Sequence, residues 1–139
     1  KFAFVRNPWC RFVSCYHYFK KYGRQKGYDV VTGEIVNTYL NFKQFCLSLD
    51  DVLLKAKAPH FKQMNFWLDS PINFIGKFEN LQEDFNTICD KIGIPRQELP
   101  HKNKSDHKHY IEYYDDETRE IIAKKYAKDV ERFEYKFGD

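Results

Sequence analysis

Long hydrophobic runs are missing from this sequence. No stretch approaches the ~20 apolar residues that a membrane-spanning helix needs. Charged residues make up 31% of the chain and the mean hydropathy is -0.71, so the composition also argues against a membrane protein. Internal repeats and low-complexity tracts are absent, and large apolar residues interrupt the charged stretches at regular spacing. The sequence therefore indicates a folded chain and not a disordered one.

A strong excess of one charge is also missing. The 23 basic and 20 acidic side chains leave a formal charge of +3, which is too balanced for a general nucleic-acid binder. The four cysteines include no Cys-x-x-Cys pair, so neither a zinc knuckle nor a thioredoxin-type centre is signalled. Cys10 and Cys15 would lie roughly 140° apart around a helix, which makes them a poor disulfide pair. We expect reduced, mostly buried thiols.

Aromatic residues, in contrast, are abundant. They supply 18% of the 139 residues, and 13 Phe and 10 Tyr dominate them. A chain of this length fits one domain, which we expect to span residues 1–139, and it can bury a real core without disulfides. The sequence therefore predicts a single domain with a core rich in aromatic rings.

The first part of the chain combines a strand pattern with a helix pattern. Phe2 to Val5 is an unbroken apolar run, as in a strand buried on both faces of a parallel sheet. Asn7 suits a helix N-cap and Pro8 suits the first helical position, so a helix should begin there. The predicted apolar stripe of this helix comprises Trp9, Phe12, Val13, Tyr16 and Phe19. Gly23 and Gly27 are predicted to end it.

The rest of the sequence alternates loops, helices and one further strand. The predicted elements are a surface loop over 28–38, a helix capped by Asn41, a strand within 72–78, a helix over 81–92, a mostly irregular stretch over 95–114, and a last helix from Asp115 or Asp116. Together they predict a helix-rich α/β chain with parallel strands.

The junction between the first strand and the first helix predicts an anion site. Free backbone N–H groups and the positive helix end point to one place at such a junction. Arg6 ends the strand, and its guanidinium can bind a phosphate with two hydrogen bonds. Arg11 and Ser14 share one helix face away from the apolar stripe, so Arg6 and Ser14 can hold a phosphate from two sides. The alternative is an Arg6 paired with a carboxylate and a solvated Arg11.

Three blocks of the sequence resemble one enzyme family. Residues 2–16, FAFVRNPWCRFVSCY, resemble the 3′-phosphate-binding strand and helix of the sulfotransferases that use 3′-phosphoadenosine 5′-phosphosulfate (PAPS), and are most similar to the carbohydrate sulfotransferase branch. Residues 74–85, FIGKFENLQEDF, are similar to a later strand and helix of that branch. Residues 99–105, LPHKNKS, with 113–116 and 129–137, resemble its C-terminal part. The chain is therefore identified as a member of this family.

The resemblance implies a fold, a reaction and site residues. The fold is a P-loop-like parallel sheet flanked by helices. The reaction is transfer of a sulfuryl group from PAPS to a hydroxyl of a carbohydrate, which releases adenosine 3′,5′-bisphosphate and needs no metal. Arg6 and Ser14 match the pair that holds the 3′-phosphate, and Arg11 belongs to the same pattern. A loop that closes over the bound nucleotide is matched by Asn103, Lys104 and Ser105, for which a solvated basic loop is the alternative.

The sequence departs from the family in one respect. PAPS sulfotransferases have an upstream loop of the type Lys-x-Gly-x-Thr that cradles the 5′-phosphosulfate, and no such pattern occurs in these 139 residues. The chain begins with Lys1 in place of Met, so we expect a fragment, truncated at its N-terminus, from the C-terminal part of a longer catalytic domain. The alternative function is a truncated or degenerate relative that binds a nucleotide or a partner without catalysis. A nucleotide kinase would need a Walker-type motif, which the sequence lacks.

Histidines supply the candidate general base. The segment from His60 to Gln63 is similar to a His-x-x-Gln segment of the branch, which would direct it toward the acceptor sugar. His60 has a side chain that titrates near neutral pH and is therefore the candidate catalytic base, although in related members the base lies upstream. His101, His107 and His109 have no nearby cysteine or well-spaced carboxylate to complete a zinc site, so no metal is expected.

Two tryptophans and one glutamate complete the set of candidates. Trp9 lies on the apolar stripe of its helix and is expected to pack in the core, whereas Trp67 is a candidate for stacking on an adenine or a sugar. Glu79 is expected to cap the helix that follows it or to pair with a basic residue such as Arg6.

The expected partners follow from the family. They include a carbohydrate acceptor but no nucleic acid, and no membrane segment is expected in this chain. An uncovered sheet edge would favour self-association. Abundant Lys, Asn, Ile, Phe and Tyr are typical of an AT-rich genome, which suggests a bacterial protein of the cytoplasm. An animal relative would work in the Golgi lumen.

Overall fold

The fold is taken from a computed structural model that describes residues 1–23, 30–51, 59–100 and 107–139. Two parallel strands form its sheet: β1 (Phe2–Val5) pairs with β2 (Phe74–Lys77), and Phe2 lies opposite Phe74. Both predicted strands are thus confirmed, as is the mixed, helix-rich α/β class. Within the described ranges β1 pairs with β2 alone, so the expected self-association through the other edge stays a prediction.

Helix α1 (Pro8–Tyr22) follows β1 almost directly. The side chain of Asn7 accepts hydrogen bonds from the backbone nitrogens of Trp9 and Cys10, and Pro8 is the first helical residue, as predicted. All five residues of the predicted apolar stripe are buried, and the helix ends at Gly23. The start, the buried stripe and the end of α1 therefore agree with sequence-local signals.

Helix α2 (Val30–Thr38) corrects the prediction of a surface loop over 28–38, of which 28 and 29 lie outside the described residues. Thr32, Gly33 and Val36 are buried on the side that faces α1. A Cβ built on Gly33 would lie 2.1 Å from the Cα of Gly23, so the two helix backbones touch. Gly33 therefore allows α1 and α2 to pack closely. In the sequence alone, a glycine at this position is typical of a loop.

The core is built from aromatic rings around Phe12. Its ring stacks on Phe45 at a centroid distance of 5.5 Å and meets the edges of Phe42, Phe61 and Tyr126. Phe42 and Phe45 come from α3 (Phe42–Leu47), which Asn41 caps as predicted. The ring-rich core expected from the composition is therefore present, and it packs against the buried side of α1.

The remaining elements of the described residues are all helical. They are a 3-10 helix (Pro59–Phe61), α4 (Met64–Trp67), a 3-10 helix (Phe78–Asn80), α5 (Leu81–Ile92), a 3-10 helix (Tyr110–Tyr113), α6 (Asp116–Lys125) and α7 (Ala127–Arg132). Asp115 and Thr118 form a capping box at the start of α6, where the last helix was predicted to begin. In the described ranges no helix is both long and apolar enough to cross a bilayer.

Candidate functional site

Arg6 lies at the carboxyl end of β1, where the sequence predicted an anion-binding side chain. Its Nη2 donates to Cys10 Sγ at 3.1 Å, and its guanidinium carbon lies 4.4 Å from the ring centroid of Phe78. Its Nε is buried without a hydrogen-bond partner. No carboxylate of the described residues forms an ion pair with Arg6, so the alternative of a purely structural ion pair is not observed there.

The backbone donors at the start of α1 are already occupied, which corrects the prediction that they form the anion site. Asn7 Oδ1 accepts from the nitrogens of Trp9 (3.1 Å) and Cys10 (3.2 Å), and the nitrogen of Asn7 donates to Glu79 Oε1 at 2.6 Å. Pro8 has no N–H to offer. An anion at this junction must therefore be held by side chains.

Glu79 is the second correction. It was expected to cap its own helix or to pair with Arg6, but its carboxylate bridges the nitrogen of Asn7 and the hydroxyl of Tyr135, which donates to Oε2 at 2.8 Å. Burial, followed by the hydrogen bond to Glu79, raises the pKa of Tyr135, so this phenol stays a donor. Glu79 thereby ties the end of β2 to the start of α1 and to the C-terminal segment.

Cys10 and Ser14 lie one turn apart along one side of α1. Both are half-buried, away from the fully buried stripe. The guanidinium of Arg6 reaches Cys10, one helical turn before Ser14. The binding of a phosphate by Arg6 and Ser14 stays a prediction.

Arg11 is not the solvated side chain of the alternative interpretation. Its Nη1 donates to the carbonyl of Lys62 and its Nη2 to the carbonyl of His60, both at 2.8 Å. Two further bonds hold this segment: Tyr126 Oη donates to the carbonyl of Phe61 at 2.8 Å, and Cys15 Sγ contacts the carbonyl of His60. Arg11 therefore positions residues 60–62 against α1, and its contact with a nucleotide stays a prediction.

His60 projects from this fixed backbone beside the second half of α1. Its ring meets the edge of Phe19 at 5.3 Å and stacks near Tyr18 at 6.3 Å, while the residue remains exposed to solvent. Gln63 Oε1, three residues on, is buried without a partner. His60 is thus exposed, whereas the amide oxygen of Gln63 is buried. The role of His60 as a base is still a hypothesis.

Sequence reasoning missed Asp129, which is fully buried. Its carboxylate accepts from the nitrogens of Met64 and Asn65, both at 2.7 Å, and so caps α4 from a distant helix. Burial raises the pKa of this carboxyl, against the lowering effect of the two backbone hydrogen bonds. The sequence could have indicated this burial, because Asp129 lies three positions after Tyr126 and so shares the inward face of the predicted last helix.

A pair of stacked histidines was also missed. The rings of His17 and His107 stack at a centroid distance of 4.8 Å, and Nε2 of each is buried without a partner. Burial and the neighbouring His107 lower the pKa of His17.

The predicted loop residues Asn103, Lys104 and Ser105 lie outside the described residues, which resume at His107.

All four cysteines are free thiols, of which Cys46 and Cys89 are buried and Cys10 and Cys15 are half-buried. Trp9 packs in the core as predicted, and its indole nitrogen donates to the carbonyl of Arg119. The described ranges contain no group of three or more His, Cys, Asp or Glu side chains that could hold a metal ion.

Comparison with known proteins identifies the family of this chain. The profile of the sulfotransferase family matches residues 1–136. An uncharacterized protein of Archaeoglobus fulgidus is 33% identical over 101 residues, which covers 69% of this chain and 69% of that protein. No solved structure matches significantly. Because the family profile spans nearly the whole sequence, the chain belongs to the sulfotransferase family.

Proposed function

We propose that this chain binds the 3′-phosphate of PAPS through Arg6 and Ser14 and serves transfer of its sulfuryl group to a hydroxyl of a carbohydrate. Membership of the family supports sulfuryl transfer in general. The nucleotide donor, the carbohydrate acceptor and a P-loop-like completion of the sheet are the parts that we add. The parallel β1–β2 pair, with a helix after each strand, is compatible with such a sheet.

The state of Arg6 is the observation that carries the proposal. Its guanidinium lies at the end of a parallel strand, over an aromatic ring, and no carboxylate in the described ranges neutralises it. Glu79, the carboxylate that the sequence analysis offered as a partner for Arg6, instead accepts hydrogen bonds from Asn7 and Tyr135. A half-buried guanidinium without an anionic partner is suited to bind a phosphate with charge-assisted hydrogen bonds.

The residues of the chain act by positioning and by charge. In the reaction an acceptor oxygen bonds to the sulfur, the bond between sulfur and the 5′-phosphate oxygen breaks, and a base takes the hydroxyl proton. Arg6 and Ser14 hold the nucleotide at its far phosphate, so the reacting group is fixed in place. The Glu79–Asn7 contact fixes the strand–helix turn that carries Arg6. His60 is the candidate for the proton acceptor.

Calorimetric titration tests the nucleotide site. We expect the chain to bind adenosine 3′,5′-bisphosphate more tightly than adenosine 5′-phosphate, because only the first carries the 3′-phosphate. Arg6→Ala should abolish this preference and Ser14→Ala should reduce it, since each removes a phosphate contact.

The matched controls remove the same chemistry elsewhere. Arg96→Ala deletes an exposed arginine that pairs with Asp90, and Ser48→Ala deletes a serine at the end of α3. Both should leave the preference intact. Equal affinity of the unaltered chain for the two nucleotides, or an unchanged preference in Arg6→Ala, would refute the assignment.

A further inference from the structure

The rings of His17 and His107 stack against each other beside α1. Their centroids are 4.8 Å apart and their planes differ by 21°. The ring of Tyr113 meets both edge-on, with its centroid 4.9 Å from that of His17 and 6.0 Å from that of His107. Nε2 of each histidine is buried without a hydrogen-bond partner. Two titratable rings, neither of which the proposed reaction uses, therefore share one contact.

The backbone fixes the proton of the neutral His107 ring. Its Nδ1 lies 2.7 Å from the carbonyl oxygen of Lys108, and a carbonyl can only accept a hydrogen bond, so Nδ1 carries the hydrogen. Nε2 of the same ring is then a bare lone pair. A second proton would have to bind Nε2, where it would form a buried N–H⁺ without an acceptor. The stacked arrangement therefore opposes protonation of His107.

Protonation of His17 meets the same obstacle. Its Nε2 is also buried and unpartnered, and its ring lies against His107 and Tyr113. Burial, followed by the neighbouring His107, lowers the pKa of His17. A base whose pKa is lower in the stacked state stabilises that state above its unfolded pKa of about 6.5 and loses the contribution as the pH falls below it. Acid therefore favours separation of the rings.

The charged groups around the pair do not compensate an added proton. On the same stretch as His107, Glu112 pairs with Lys108 at 3.9 Å. On α1 the basic residues Lys20 and Lys21 follow His17 by one turn, and on α3 Lys43 pairs with carboxylates at the start of α6. Among the described residues no carboxylate forms an ion pair with either histidine. A proton on the pair is therefore left without a counter-charge there.

We propose that the His17–His107 pair is an acid-sensitive latch, which holds residues 107–109 against α1 while both rings are neutral and releases them when either ring binds a proton. The two states differ in whether the rings stack, so protons bind the open state more tightly and shift the equilibrium toward it. This inference is independent of the proposed nucleotide site.

The release is local, because the residues that follow are anchored separately. Tyr110 is buried, and its hydroxyl donates to the carbonyl of Asp139. The hydroxyl of Tyr114 donates to the carbonyl of Trp9 at 2.9 Å. Opening of the latch therefore affects the first turn of the 3-10 helix (Tyr110–Tyr113) and leaves the rest of the fold in place.

Two measurements follow the latch in the unaltered chain. In an NMR titration of the imidazole C–H resonances, His17 should titrate at a lower pH in the folded chain than in urea. The amide of Glu112 donates to the carbonyl of His109 at 3.0 Å, so its hydrogen-exchange protection factor should fall about tenfold between pH 7 and pH 5, as linkage to one histidine predicts. The amide of Ile94, which donates to the carbonyl of Cys89 at the end of α5, should keep its protection.

Variants assign the effect to the two rings. His107→Phe keeps an aromatic ring for stacking but cannot bind a proton, so it should make the pH dependence at Glu112 shallower. The double variant His17→Phe, His107→Phe should abolish it. The matched control is His109→Phe, which removes an exposed histidine from the same stretch and should respond to acid like the unaltered chain.

Three outcomes would overturn the latch. Equal loss of protection at Glu112 and Ile94 would mean that acid unfolds the whole chain. A pH dependence that persists in the double variant would place the titrating group elsewhere. Titration of His17 at the same pH in the folded and the unfolded chain would show that stacking does not oppose its protonation.

Discussion

Glu79 Oε1 accepts a hydrogen bond from the backbone nitrogen of Asn7 at 2.6 Å, across 72 residues of sequence. A carboxylate from the end of β2 thereby completes the N-terminal cap of the helix that follows β1. The two strand-to-helix turns of the sheet are thus coupled, and the hydroxyl of Tyr135 joins them to the C-terminal segment. The geometry around Arg6 depends on this coupling.

Removal of the Glu79 carboxylate should destabilise the fold. Glu79→Ala leaves the nitrogen of Asn7 and the hydroxyl of Tyr135 without their acceptor, and each unsatisfied group costs about 1–3 kcal/mol. We expect the free energy of unfolding in urea to fall by at least ~1 kcal/mol. Glu98→Ala, at an exposed position, should stay within about 0.5 kcal/mol of the unaltered chain. Equal stability of the two variants would show that the bridge contributes nothing.

A side chain at Gly33 should separate α1 from α2. In Gly33→Ala the new Cβ would meet backbone atoms of Gly23 at 2.1 Å, and backbone cannot move aside as a flexible side chain can. We expect a loss of about 1–3 kcal/mol in thermal or urea unfolding, the range for overpacking. Val31→Ala, at an exposed position of the same helix, is the control. A Gly33→Ala variant with unaltered stability would contradict the close helix crossing.

The ion pair between Lys43 and Asp115 should make stability fall in acid. The hydrogen bond from Lys43, followed by those from Thr118, holds the pKa of the Asp115 carboxyl well below its ordinary value. A carboxyl whose pKa is lower in the folded state stabilises above its unfolded pKa of ~3.9 and loses that contribution as the pH falls further.

Urea unfolding at pH 7, 4 and 2.5 measures this dependence. Lys43→Ala should unfold with a shallower pH dependence below about pH 4, because it removes the main cause of the lowered pKa. Lys124→Ala, which breaks an exposed pair with Glu120, is the matched control and should keep the steeper slope. Identical slopes in the two variants would refute the assignment to Lys43.

Loss of the Asp129 carboxylate should loosen α4 in particular. Asp129→Ala removes the acceptor for two backbone nitrogens, so we expect a destabilisation of about 2 kcal/mol or more. Hydrogen exchange of the Met64 and Asn65 amides should accelerate beyond what the global loss accounts for. Asp50→Ala, an exposed partner of Lys125, is the comparison. Unchanged amide protection at Met64 would contradict the capping role.

The structure agrees with the sequence-based predictions wherever the signal is local. Asn7 and Pro8 begin a helix, and the apolar stripe from Trp9 to Phe19 buries one face, because neighbours in sequence supply the cap and the spacing. The position of Arg6 at the end of a parallel strand followed from the same pattern. The family could be identified because these signals occur together in one short block.

Most of the errors concern contacts between residues that are far apart in sequence. Gly33 resembled a loop residue because nothing in a single sequence shows that Gly23 will lie against it. At the start of α1 the nitrogen of Asn7 donates to Glu79, which is 72 positions away, whereas the nitrogens of Trp9 and Cys10 donate to the neighbouring Asn7 side chain. Asp129 likewise finds its partners more than sixty residues upstream. Tertiary hydrogen bonds of this kind follow from topology and not from residue spacing.

Met64 gives the junction a spectroscopic reporter. It is the single methionine of the chain, and its sulfur accepts from the backbone nitrogen of Arg6. A sample grown with carbon-13 methyl-labelled methionine therefore yields one methyl resonance from a side chain whose sulfur contacts the backbone of Arg6. That resonance can follow events at Arg6 in the unaltered protein without any engineered label.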